Sequence, residues 1–235
     1  MSLALDRIIV GGGLSVLALL AWLYTIQAST DMRFMGAEYA FWMWAVMMVA
    51  MMTPSAAPVV FALSRISRSR AGSQTVFGVT GAFLLGYLAL WIAFSAMAAV
   101  AQAVLSRASL LSSMGSSTSS DLSATLLLAA GFYQFSPWKY KCLSKCRAPM
   151  GFLLTEWRDG LHGAFVMGIR HAMYCTGCCW LIMAILFVAG VMNLTWIAVL
   201  TVIVLAERVL PKGRWTSDFV GAAAVLCGCW LLVRR

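Results

Sequence analysis

Charge is what this sequence has least of. Only 11% of its 235 residues are Asp, Glu, Lys or Arg, where a soluble domain carries about a quarter. Acid is scarcest, with 8 Asp and Glu against 17 Lys and Arg, and there are only 2 His. That shortage excludes an ordinary water-soluble globular domain. No phosphate-binding loop, phosphorylation loop or nucleotide fold is present, which excludes ATP-driven work by this chain. No basic stretch alternates with aromatics on a polar domain, so nucleic acid is excluded as a partner. The first apolar run lacks a small-residue cleavage site and reads as a retained helix rather than a signal peptide. No convincing internal repeat occurs.

What is present is apolar: 62% of the residues are hydrophobic, and nearly every charge falls between apolar runs. The pattern predicts an all-α, polytopic transmembrane helix bundle of 6–7 spans, one integral membrane domain over 1–235. The spans fall at roughly 8–26, 37–63, 76–105, 121–135, 161–191, 194–210 and 217–233, with a flexible Ser-rich loop at 106–120. The fourth is short and either extends to Phe135 or breaks at Pro137. The fifth is long enough to tilt. Gly81 and Gly86, and Gly221 and Gly228, are expected where helices approach closely.

Basic residues set the expected orientation. Arg7, Arg65, Arg68, Arg70, Lys139, Lys141, Lys145, Arg147, Arg158, Arg208, Lys212 and Arg214 fall on one side, and Arg33, Arg107, Arg234 and Arg235 on the other. Positive residues favour the cytoplasm, so the N-terminus is expected inside and the C-terminus outside. The terminal Arg pair argues mildly against this.

Three clusters of soft ligands interrupt the apolar runs. In "HAMYCTGCCW", His171, Cys175 and Cys178 or Cys179 share one helical face. Thiolate and neutral imidazole bind soft or borderline metals. The competing interpretation is that small buried cysteines act as apolar packing. In "MWAVMMVAMMTPSAAP", Met47 and Met51, and Met48 and Met52, are spaced one helical turn apart. Thioethers suit Cu(I) without a buried-charge cost, and they equally suit a flexible packing stripe. Pro54 and Pro58 free backbone carbonyls in the same span. In "KCLSKCRAP", Cys142 and Cys146 stand beside Lys141, Lys145 and Arg147, whose charge is expected to favour the thiolate and fast reaction. A metal pair, a redox pair and an inert pair all fit that spacing. Arg170, next to His171, is the intramembrane arginine to watch. Glu207 has three readings: pairing with Arg170, accepting a proton, or reaching the interface beside Arg208. Cys227 and Cys229 read as packing, and His162 as solvated.

"WAVMMVAMMTPSAAP", "YQFSPWKYKCLSKCRAP", "GIRHAMYCTGCCW" and "FVAGVMNLTWIAVLTVIVLAERVLP" together resemble a bacterial family of unknown function, the predicted metal-binding integral membrane proteins, over roughly 41–213. The resemblance implies a multi-pass protein of the bacterial inner membrane and brings no established activity. The M-x3-M spacing is also similar to that of one helix in eukaryotic copper-uptake channels, an analogy of ligand chemistry only.

These readings combine into an expected soft-metal protein, copper(I) first, for binding and transport or delivery. Its expected metal residues are His171, Cys175, Cys178, Cys179, Met47, Met48, Met51, Met52, Cys142 and Cys146. Its expected partners are membrane lipid, the metal ion, and a cytosolic metal carrier or larger membrane complex. Two alternatives stay open. One is a membrane thiol-disulfide oxidoreductase using Cys175 and Cys178, which have C-x2-C spacing. The other is a metallochaperone or assembly subunit.

Overall fold

The computed structural model describes residues 3–30, 37–71, 73–112, 115–210 and 213–234. Arg33, Lys212 and Arg235, used above for orientation, lie outside the described residues. So do Ser113 and Met114 of the Ser-rich loop.

The chain runs as α1 (Leu3–Thr30), α2 (Ala37–Ala71), α3 (Ser73–Arg107), α4 (Ser120–Gln134), α5 (Pro137–Arg147), α6 (Pro149–Glu156), α7 (Gly160–Ala184), α8 (Leu186–Ala189), α9 (Leu194–Val209) and α10 (Gly213–Val233). Among the described residues there is no strand, only an isolated bridge between Leu111 and Ser117. Among the described residues five stretches are long and apolar enough to cross a membrane: Leu5–Thr30, Tyr39–Ser69, Val76–Arg107, Gly160–Ala189 and Gly213–Val233. The spans expected at 121–135 and 194–210 correspond to α4 and α9, of 15 and 16 residues. At 1.5 Å per residue each is shorter than a hydrocarbon core of about 30 Å.

Local signals explain where the short helices begin. Ser119 and Ser136 cap α4 and α5 through their side chains, and Pro137 occupies the first turn of α5. Pro149 does the same for α6, and Asn193 caps α9. The result is a broken run, α4–α5–α6, where the sequence suggested one short span and a loop. By contrast α2 continues through Pro54 and Pro58. α7 continues through Gly177 to Ala184.

α3 is packed between α2 and α7, α1 lies along α2, and α10 lies along α4. The α3–α7 crossing is a reciprocal glycine contact. A Cβ on Gly86 would stand 2.1 Å from the Phe165 carbonyl oxygen, and one on Gly168 would stand 2.0 Å from that of Phe83. Only hydrogen fits there. Gly221 and Gly228 similarly admit α4, through Gln134 and Leu128. Gly81 does not follow this expectation: nothing lies within 4 Å of its Cβ position, because it faces outward.

The interior is apolar, but so is much of the exterior, and a few charged and polar groups are enclosed. Phe219, Leu226, Leu85 and Ile8 are exposed, whereas Lys139, Glu207, Arg208, His171 and Gln134 are buried. This is the distribution of a bundle whose surroundings are as apolar as its side chains.

Candidate metal centre

The polar residues at the centre converge on the middle of α7. Cys175 is fully buried, with Cys178 and Cys179 on the next turn. Both of those thiols donate to the Cys175 carbonyl, at 3.0 and 3.1 Å. From α3, the Tyr87 hydroxyl meets Cys175 Sγ at 3.0 Å and donates to the Met52 carbonyl of α2 at 3.2 Å. From α5, Cys146 is buried in the same core as the three cysteines of α7. Cys142 packs on Gly177, where a Cβ would meet its sulfur at 2.8 Å. The absent side chain at Gly177 is therefore what lets α5 lie against α7.

The group at the focus is Arg208 of α9. Its Nη2 stands 2.9, 3.4 and 3.7 Å from the sulfurs of Cys175, Cys178 and Cys179. Its Nη1 donates to Ser55 Oγ of α2 at 2.7 Å. A guanidinium stays charged inside a protein, so a buried one requires charged or strongly polar partners. Sequence reasoning missed it by counting Arg208 among the cytoplasmic basic residues. The available signal was its place within the last turn of an apolar helix.

Next to it, Glu207 accepts from Lys139 Nζ at 2.7 Å, with the two side chains 1% and 0% exposed. Gln134 closes the group, donating to Glu207 and accepting from Lys139. This ties α4 and α5 to α9. The partner suggested for Glu207 is thereby corrected: Arg170 pairs instead with Glu156, and its side chain is 43% exposed.

Other expected ligands stand apart. His171 is enclosed by the rings of Phe83, Tyr87 and Phe152, with centroids 5.0–5.9 Å away, and its Nδ1 has no hydrogen-bond partner. Met47, Met48, Met51 and Met52 are all buried in the same core. Of these, Met52 reaches the thiol centre through its carbonyl, bonded to Tyr87, and through a 4.0 Å contact of its sulfur with Ser55. Among the described residues no three His, Cys, Asp or Glu side chains stand ready around one point to hold an ion. The nitrogen of Arg208 is what the three sulfurs share.

The family model that matches this chain is that of PpoB2, described as a copper chaperone, over residues 41–231. The chain belongs to that copper chaperone family. No curated protein and no solved structure matches it. Membership links the chain to copper-related metal handling. The matched region contains Met47–Met52, the cysteines of α5 and α7, and Arg208.

For this copper chaperone family member, one expectation is reversed. Cys142 and Cys146 lie on a helix rather than a loop. Their basic neighbours point elsewhere: Lys141 lies over the Trp138 ring and Arg147 donates to the Leu210 carbonyl at 2.5 Å. Cys142 is half-buried against Gly177, and Cys146 is buried. The nucleophile is the thiolate. At pH 7 maleimide should therefore modify half-buried Cys142 slowly and buried Cys146 more slowly still. Peptide mass spectrometry after timed quenching measures both, and rapid modification of Cys146 at pH 7 contradicts the assignment.

Proposed function

We propose that this protein binds Cu(I) at the sulfurs of Cys175, Cys178 and Cys179, with Cys146 as the ligand from α5, and delivers the ion within or across the bacterial inner membrane. The observation that carries the reading is convergence. The thiols of α7, a serine and a methionine of α2 and the Tyr87 hydroxyl of α3 meet around one buried point, and buried Cys146 of α5 belongs to the same core. Soft thiolates in a dry site suit Cu(I) and disfavour hard cations. Met47, Met48 and Met51 extend from Met52 along α2 and supply weaker, exchangeable thioether positions, as movement of an ion requires. His171, one turn from Cys175, is a reserve ligand through its unpartnered Nδ1, and Cys142 is the approach to Cys146.

A cleft of about 1100 Å³ lies between α1, α2 and α6, lined by Arg7, Arg65, Arg68, Pro58 and Met150. Pro58 is three residues from Ser55, so the cleft is the natural exchange face for a cytosolic metal carrier. We read seven crossings, with α4–α5–α6 as one broken traverse. In support, Ser117 before α4 donates to the Phe187 carbonyl beyond α7 at 2.7 Å. Arg158 after α6 backs onto Gly163 at the start of α7.

The test is copper per chain after anaerobic purification, followed by chelator competition. Cys175→Ser should weaken Cu(I) binding by about a hundredfold, or ~3 kcal/mol, because a hydroxyl is a poor ligand for this ion. Met51→Leu, nearly volume-conserving, should cost less than about tenfold. Equal binding by wild type and Cys175→Ser removes the site. A metal-free protein with a titratable Cys175–Cys178 dithiol instead makes it a thiol oxidoreductase.

A further inference from the structure

We infer that Arg208 is the fixed countercharge that suits this site to a monovalent ion held by two thiolates. The inference rests on the copper reading above and adds the residue that would set its selectivity. Arg208 is 7% exposed, and among the described residues it forms no ion pair with a carboxylate. The nearest acid in sequence, Glu207, is already matched by Lys139 at 2.7 Å. The partners given to the guanidinium are three sulfurs, the Cys175 carbonyl and Ser55.

The charge balance then decides which ion fits. Cu(I) or Ag(I) on the four sulfurs with two of them as thiolates and two still protonated carries a net charge of −1, and Arg208 brings the buried site to zero. A divalent ion on two thiolates is already neutral, and the same arginine leaves one uncompensated positive charge in the interior, which is costly. To regain neutrality a divalent ion must take a third thiolate and, for zinc, complete a tetrahedron. Ser55 holds the guanidinium from the opposite side at 2.7 Å, so the charge remains beside the sulfurs while an ion displaces one N–H···S contact.

The experiment compares Cu(I) and Zn(II) affinities of the full chain in detergent, each by competition with a chelator, without oxygen for Cu(I). Arg208→Met should weaken Cu(I) by about a hundredfold, a fraction of the Coulomb energy of unit charges about 4 Å apart. Zn(II) should stay equal or tighten. Ser55→Ala, a small change that leaves the arginine in place but untethered, should shift the ratio in the same direction by several-fold. Arg208→Lys keeps the charge and should keep the wild-type preference. If Arg208→Met does not fold, Ser55→Ala and Arg208→Lys decide the question. An unchanged Cu(I)-to-Zn(II) ratio in the folded variants overturns the inference while leaving the copper site standing. A wild type that takes no Cu(I) overturns both.

Discussion

Replacing Gly168 with alanine should cost at least about 3 kcal/mol of stability, the upper end of what overpacking costs. The added methyl would start 2.0 Å from the Phe83 carbonyl oxygen and 2.9 Å from the Tyr87 amide nitrogen, both backbone atoms that no rotamer can move. α3 and α7 must separate. Because Tyr87 then withdraws from Cys175, copper binding should fall together with stability. Gly81→Ala on α3, the helix that Gly168 meets, is the control. Its methyl enters open space, and alanine is favoured over glycine within a helix by about 0.5–1 kcal/mol. That variant should be neutral or slightly stabilised. Thermal unfolding of the detergent-solubilised protein, followed by tryptophan fluorescence, separates the two. Equal midpoints for Gly168→Ala and wild type would falsify the crossing as described.

Lys139→Met should be as damaging, by a different mechanism. It removes one member of a buried ion pair and leaves Glu207 facing Gln134 alone, in an interior where both acid and base are essentially inaccessible. Breaking such a pair from one side costs about 3–5 kcal/mol. The double variant Lys139→Met with Glu207→Gln removes both charges and should recover most of the loss. The coupling between the two positions, read from a four-protein unfolding cycle, should exceed about 2 kcal/mol. Additive losses would show that the two residues act independently, against the contact described.

The legibility of this protein in its sequence was uneven for physical reasons. Apolar run length identified the long helices, because a spanning segment is a one-dimensional property. The chemistry was legible as residue type: cysteines in apolar surroundings stand out whatever they touch. Depth was not legible. The Cys142–Cys146 segment has the charges of an exposed loop, and its burial depends on Gly177 accepting a helix and on Ser136 and Pro137 turning the chain back. Arg208 and Arg170 exchanged roles for the same reason. Each is an arginine near an apolar segment, and only packing shows that Arg170 turns toward Glu156 while Arg208 turns inward. The Gly168 contact was equally hidden, since a glycine at a crossing and one facing outward, such as Gly81, look alike in the chain.

The thiol centre also has a history fixed by the direction of synthesis. Ser55 and Arg208, which hold each other at its focus, lie 153 residues apart, and Arg208 follows Cys175 by 33. A ribosome therefore delivers every sulfur of the centre before the arginine that completes it. At an elongation rate of about 5–20 residues per second, the gap between Cys175 and Arg208 lasts seconds. During that interval α7 has its thiols but neither the arginine cation nor the α9 wall. The nascent chain thus exposes soft thiols to the cell before it can enclose them, and maturation of the site is complete only when one of the last helices docks.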